Sequence, residues 1–199
     1  MSKQQRSVKQ KNDVWLGNTS STGSKGKAQG LRSACGVSTF GRLDPFELAR
    51  VLNVELFMPA DVGALDRDSL NQLTVVDPTA WSAGLLHGPD GRKLIVLNPT
   101  HSPNRQRASL MEELAHLSLN HEPARLLSYD GVIVRTWNKT QETEAYWVGA
   151  AALLPRRVIK GALTLGRDAA AIADEHMVSV ELVHFREKVL GIRLPVAGP

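Results

Sequence analysis

The sequence has little that would support a disulfide-stabilised or membrane-spanning protein. Its one cysteine, Cys35, cannot form a disulfide within the chain and provides no basis for a cysteine-rich zinc site. No apolar run approaches the length of a membrane span, and the N-terminus lacks the apolar segment of a signal peptide. Aromatic residues are only 5% of the 199 positions, but 42% are hydrophobic, enough for a full core. We therefore expect a cytoplasmic protein with one globular domain.

Positive charge is concentrated near the N-terminus. Residues 1–32 carry seven basic side chains and one acid, Asp13, whereas the rest of the chain is slightly acidic. Residues 17–30 are rich in Gly, Ser, Thr and Lys, which is typical of a flexible linker. We predict a basic, disordered arm over residues 1–34 and a folded domain over residues 35–199. We expect this arm to bind nucleic acid at most weakly, through non-specific electrostatic attraction.

The remaining pattern predicts an α+β fold. Asp44-Pro45 and Ser102-Pro103 are helix starts in which a capping side chain precedes proline, and the second helix should run to Pro123. Strands are predicted before that helix and a short one after it, and Thr140 should cap a helix that ends at Leu154-Pro155. Two short helices close the chain. The predicted strands are 54–57, 81–84, 93–97 and 132–134, and the closing helices are 167–177 and 179–190, the second capped by Ser179.

The segment Glu112-Glu113-Leu114-Ala115-His116 carries the chemistry. Residues four apart share one helix face, which is why two histidines in H-E-x-x-H hold one zinc ion beside a water-activating glutamate. Here Glu112 stands in the place of the first histidine, and its carboxylate can also ligate a metal. Glu144, on the later helix, is the best candidate for a third ligand. The alternative is a solvated acidic face with no metal, in which His116 is an ordinary core histidine.

Two neighbouring side chains are expected to stay outside such a site. His121 would lie about 140° round the helix from His116, so we expect it at the surface. Tyr146 would lie about 200° round from Glu144, so we assign it to packing. Two carboxylates and one imidazole make a hard, anionic site, which should lower the Lewis acidity of zinc and favour manganese or iron more than a His-rich site would.

Residues 107–117 resemble the active-site helix of ImmA/IrrE-type metallopeptidases. Residues 142–155, with an acidic start and a Leu-Leu-Pro end, are similar to that family's second helix, and the likeness covers residues 36–195. It implies a minimal zincin-like fold: a small mixed or antiparallel sheet packed on an active-site helix, with a C-terminal helix pair. By position it implies Glu113 as general base and His116 and Glu144 as zinc ligands, with Glu112 where the family has histidine.

The resemblance also implies a function. It predicts a metal-dependent endopeptidase that cleaves a helix-turn-helix transcriptional repressor of stress or mobile-element genes. The strand at residues 93–97 could present an edge along which an extended peptide pairs. The alternative is a catalytically impaired module that binds a repressor or an antitoxin-like partner, and Glu112 favours it. A nucleic-acid-binding protein is a third alternative, but the closing helices are net negative, which disfavours it.

Overall fold

The computed structural model describes residues 21–63, 65–87, 91–122, 126–129, 132–135 and 138–196. Within these residues the fold has eight α-helices and a small three-stranded sheet, and a separate two-stranded hairpin follows the central helix. This is the α+β fold that the sequence predicts. No helix in these ranges has the length and apolarity to cross a membrane. Residues 1–20 of the predicted arm lie outside the described residues, as does Pro123.

The three-stranded sheet is mixed, with its third strand in the centre. Strand β1 is Val54–Phe57, β2 is Ala83–His87 and β3 is Lys93–Leu97. Strand β3 pairs in parallel with β1 and antiparallel with β2. The prediction that residues 93–97 form an open edge is therefore wrong, because β3 is paired on both sides. The edge strands of this sheet are β1 and β2, and β2 is the one that the sequence predicts as the hairpin partner of residues 93–97.

Helix α4, Pro103–Leu119, is the central element of the core. Ser102 accepts a hydrogen bond from the Arg105 backbone N–H, and Pro103 begins the first turn, as the sequence predicts. The helix ends earlier than predicted, because Asn120 adopts a left-handed conformation with φ 53°. Such a residue reverses the chain direction, so the chain leaves the helix before it reaches Pro123. The side chains that α4 buries in the core are Leu110, Met111, Leu114 and Ala115.

Helix α5, Lys139–Leu153, packs on α4 through a face of small residues. Asn138, and not Thr140, is its N-cap, because the Asn138 side chain accepts hydrogen bonds from two backbone N–H groups of the first turn. The helix ends before Pro155, as predicted. A Cβ atom on Gly149 would lie 3.3 Å from the carbonyl oxygen of Met111, so only a glycine lets the two helix backbones come this close without displacement.

Residues 21–34 are helical, although the sequence predicts a linker over residues 17–30. Helix α1, Ser21–Ala34, buries Ala28 and Leu31. Arg32 is 1% exposed and donates hydrogen bonds to the carbonyls of Ala152, Ser38 and Gly41 at 2.5–2.8 Å. The sequence did not predict this helix, because its glycines and serines are typical of a linker and few apolar residues mark its buried face.

The remaining elements complete the layer around α4 and α5. Helix α2 is Pro45–Val51, with Asp44 as its N-cap as predicted. Within residues 65–80, for which the sequence pattern favours neither helix nor strand, lie the short helix α3, Arg67–Asn71, and a π-helical turn, Gln72–Val76. Strands β4 and β5 pair antiparallel. The other elements are β4 Leu126–Tyr129, β5 Val132–Arg135, α6 Arg156–Thr164, α7 Ala169–His176 and α8 Val180–Leu190.

The predicted C-terminal helix pair is confirmed in α7 and α8. Asp168 and Ser179 cap these helices, each by accepting a hydrogen bond from a backbone N–H in the first turn. From α8, the buried Arg186 donates a hydrogen bond to the Leu154 carbonyl at 2.9 Å. Helix α8 therefore packs against the end of α5, where backbone carbonyls lack helical partners.

Candidate metal centre

The candidate site lies between α4 and α5, which run antiparallel. Met111 of α4 is opposite Gly149 of α5, and further along α4 His116 is opposite Glu142, nearer the start of α5. The N-terminal turns of α5 therefore lie beside the second half of α4. Because the two backbones come close together at Gly149, polar side chains from both helices can converge just beyond that contact.

Three side chains meet there. Glu112 and His116, four residues apart on α4, lie with Glu142 of α5 so that one ligand atom from each falls within 4.8 Å of the others. The His116 Nε2 atom is 3.8 Å from a Glu142 carboxylate oxygen. All three residues are partly buried. In the described ranges this is the group of donors that could hold a metal ion.

The electrostatics of this group disfavour a charged carboxylate at Glu112. Burial, together with the charges of Glu113 and Glu142, raises the pKa of Glu112 from 4.5 to about 7. Desolvation and like charges both disfavour a carboxylate, and a bound divalent ion reverses both effects. A divalent ion at this site would therefore lower the pKa of Glu112 and favour its carboxylate form.

The predicted third ligand, Glu144, lies against a different side chain. One of its carboxylate oxygens is 3.4 Å from His121 Nε2, and His121 Nδ1 is 3.0 Å from His116 Nδ1. The rings of the two histidines meet edge to face. The expectation that His121 lies at the surface is wrong, because its side chain is only 7% exposed. The angle of about 140° assumed that the helix continues through residue 121, but the helix ends at Leu119.

Glu113 and Tyr146 border the group. Glu113 is partly buried, and its charge contributes to the raised pKa of Glu112. Burial first, and then the charge of Glu112, raises the pKa of Tyr146, which places the phenol near that carboxylate. The Tyr146 ring also packs edge to face on Phe185 at a centroid distance of 4.7 Å, which agrees with the packing role expected for it. Its place beside Glu112 differs from the expectation that it lies outside the site.

The donor set fits a divalent cation. Zinc accepts imidazole nitrogen and carboxylate oxygen, and three protein ligands leave a position for water or substrate, as in catalytic zinc sites. Two carboxylates also suit Mn²⁺ or Fe²⁺, which prefer oxygen donors more than zinc does. The geometry of the three side chains thus allows a metal centre but does not select the metal.

Sequence reasoning passed over Glu142, although a signal for it was present. Glu142 lies three and seven residues before Ala145 and Gly149, the spacing of one helix face. Small residues on that face mark where another helix approaches closely. Reading the face from Gly149 backwards would have placed the Glu142 carboxylate beside α4.

Comparisons with known proteins identify the family. Among curated proteins, none matches the sequence. A solved structure, a Mycobacterium tuberculosis transcriptional regulator, is 15% identical and aligns over 82% of this chain with a TM-score of 0.49. The match covers 45% of that chain, so the present chain spans less than half its length. Residues 52–188 match the M78 peptidase family, described as the IrrE N-terminal-like domain, and the chain therefore belongs to this family of metallopeptidases.

Proposed function

We propose that the protein is a metal-dependent endopeptidase whose centre is formed by Glu112, His116 and a glutamate of α5. The observation that carries the proposal is the convergence of these donors from two helices, beside Glu113, in a chain of a metallopeptidase family. A solvated acidic face would leave its carboxylates apart, whereas these are partly buried together. Such an arrangement of like charges is costly unless a cation joins it.

Glu142 is the stronger candidate for the third ligand, because its carboxylate lies close to the ligand atoms of Glu112 and His116 on α4. Glu144 remains the alternative, since it is separated from His116 by one imidazole ring. The two glutamates differ by two positions on one helix, so isosteric substitutions distinguish them. Loss of stoichiometric metal in Glu142→Gln but not in Glu144→Gln would assign the ligand to Glu142.

The proposed reaction is hydrolysis of a peptide bond with Glu113 as general base. A bound divalent ion would supply a Lewis acid that polarises the scissile carbonyl. Glu113 accepts a proton from the attacking water and passes it to the leaving amine. The open edge of β2, against α4, pairs with the extended substrate backbone and holds the scissile bond in place.

The proposed substrate is a helix-turn-helix transcriptional repressor. This substrate class follows from the resemblance to ImmA/IrrE-type metallopeptidases. Zinc is the proposed metal, with manganese or iron as the alternatives that a carboxylate-rich site admits. Cleavage would remove the repressor, so the protein would act on transcription through a protein partner.

The test combines metal analysis with cleavage. Purified wild-type protein should retain about one divalent ion per chain, and it should cleave members of a peptide library read out by mass spectrometry. Glu113→Gln should keep the ion and lose cleavage, since the amide cannot accept the proton. Glu122→Gln, an exposed glutamate after the same helix, is the matched control and should retain both. A protein that binds no divalent ion would refute the proposal.

A second candidate function is a non-catalytic module that binds a repressor or an antitoxin-like partner. Glu112 in place of histidine favours it, because an additional carboxylate weakens the Lewis acidity of a bound ion. Partner binding should then survive both chelation and Glu113→Gln. Cleavage by Glu112→His, but not by the wild type, would also favour this candidate.

A further inference from the structure

The His116 side chain belongs to a chain of polar contacts that continues away from the proposed metal ligands. Its Nε2 atom faces the Glu142 carboxylate at 3.8 Å, whereas its Nδ1 atom lies 3.0 Å from His121 Nδ1. The other nitrogen of His121, Nε2, lies 3.4 Å from a carboxylate oxygen of Glu144. The order of groups is therefore Glu144, His121, His116 and then the ligand cluster.

The backbone at the end of α4 builds this chain. Asn120 takes a left-handed conformation, and the backbone N–H of His121 donates a hydrogen bond to the His116 carbonyl at 3.1 Å. This reversal folds the His121 ring back over His116 and buries it, leaving 7% of its side chain exposed. Glu144 is 24% exposed and approaches from α5. The contact thus depends on a helix cap and a neighbouring helix, and not on a surface encounter.

When both histidines are neutral, hydrogen placement in this chain has one arrangement without conflict. Only one hydrogen fits between two Nδ1 atoms in contact, so one imidazole donates and the other accepts. If His121 donated from Nδ1, its Nε2 lone pair would face the Glu144 carboxylate, which is unfavourable. His116 would then carry its own proton on Nε2, and that nitrogen could not bind a metal ion. If His116 donates, His121 carries its proton on Nε2 and donates it to Glu144. Every donor then has an acceptor.

We propose that His121 and Glu144 are positioning residues that fix the His116 tautomer and ring orientation, so that His116 Nε2 presents its lone pair to the ion. The inference rests on the proposed metal site, with Glu142 as its third ligand. Metal-binding histidines commonly donate their second N–H to an oriented acceptor, and loss of such an acceptor lowers metal affinity about 10- to 100-fold. Here a second histidine takes the acceptor position, and a carboxylate holds that histidine in the required tautomer.

The experiment uses full-length protein with zinc as the probe. Glu144→Gln is isosteric, but its amide can donate as well as accept, so it no longer selects one His121 tautomer. It should lower zinc affinity about 10- to 100-fold while one ion still binds, measured by competition with a chelating dye. Imidazole nitrogen NMR of the metal-free wild type should show the proton on Nδ1 of His116 and Nε2 of His121. In Glu144→Gln, His116 should show both tautomers.

Two controls separate the outcomes. Glu122→Gln removes the same charge next to His121 from an exposed site and should leave affinity and tautomers unchanged. Unchanged zinc affinity in both Glu144→Gln and His121→Gln would overturn the positioning role while the metal site stands. Complete loss of zinc in Glu144→Gln, with zinc retained in Glu142→Gln, would make Glu144 a ligand and also overturn it. Wild-type protein that binds no zinc would refute the proposed function and this inference with it.

Discussion

Glu112 is the residue at which this chain departs from the H-E-x-x-H pattern, and its surroundings show what the departure does. A histidine there would bring a neutral donor between Glu113 and Glu142. The carboxylate instead adds a third negative group, and its pKa rises to about 7 in response. Near neutral pH a proton therefore competes with a metal ion for this carboxylate.

The first prediction concerns the pH dependence of the metal-free protein. In the unfolded chain the pKa of Glu112 is near 4.5, and in the folded chain it is about 7. The folded state binds the proton more tightly, so this residue costs nothing below pH 4.5 and progressively destabilises the fold as pH rises through 7. Glu112→Gln removes the effect. In chelator-treated protein it should raise the free energy of unfolding at pH 8 by up to about 3 kcal/mol.

Urea unfolding at pH 4.5 and pH 8 measures this difference. The variant and the wild type should be alike at the lower pH and diverge at the higher one. Glu122→Gln, at an exposed position, should follow the wild type at both. An equal gain from Glu112→Gln at the two pH values would mean that its charge is not what destabilises the site.

Among the elements, the pair α4 and α5 determines whether the ligand cluster can form. Gly149 allows the close approach at Met111, one residue before Glu112. Gly149→Val should force the helices apart, because its Cβ alone would lie 3.3 Å from a backbone oxygen that cannot swing away. We expect a loss of about 1–3 kcal/mol in the free energy of unfolding and weaker zinc binding, measured by urea unfolding and dye competition.

Gly161→Val in α6 is the matched control for this substitution. A Cβ atom there would also lie 3.3 Å from a neighbour, but that neighbour is the ring of Phe40, an exposed side chain that can move. The control should lose less stability and keep wild-type zinc affinity. Equal zinc affinity in Gly149→Val and the wild type would show that the spacing of α4 and α5 does not set the site.

The same elements show what the sequence could predict. Capping residues followed by proline, at Asp44 and Ser102, gave the starts of α2 and α4 correctly, because those signals are local. The Glu112 and His116 pair was predictable for the same reason, since four residues define a helix face. Position 121 was not, because it depends on where α4 stops, and the left-handed Asn120 stops it before the proline that the pattern suggested.

The choice between Glu142 and Glu144 depends on how two helices pack, and no local pattern states this directly. Both glutamates fit the sequence motif, and they differ only in which side of α5 faces α4. The order of strands in the sheet likewise depends on contacts between distant segments. Strands β1 and β3 were recognisable from their own residues, and β2 begins two residues later than predicted, but the central place of β3 arises from parallel pairing with β1, which lies far away in sequence.

On the scale of the whole molecule, two buried arginines hold the C-terminal end of α5 from opposite ends of the chain. Arg32 of α1 donates to the Ala152 carbonyl, and Arg186 of α8 donates to the Leu154 carbonyl. Carbonyls at a helix end carry partial negative charge and lack helical partners, so cations suit them. Burial lowers the pKa of Arg186 to about 10, which leaves it charged in neutral solution. Helix α1 is therefore part of the fold, although the family match begins at residue 52.

The last prediction tests whether α1 stabilises the domain through Arg32. Arg32→Ala would leave carbonyls of Ala152, Ser38 and Gly41 without this donor in the interior. Such losses to a charged donor cost about 1.5–3 kcal/mol each and do not add fully, so we expect the free energy of unfolding to fall by about 2–4 kcal/mol. Lys25→Ala, on the exposed side of the same helix, should change it by less than about 0.5 kcal/mol. Urea unfolding measures both variants, and if they unfold alike, α1 does not stabilise the domain through this arginine.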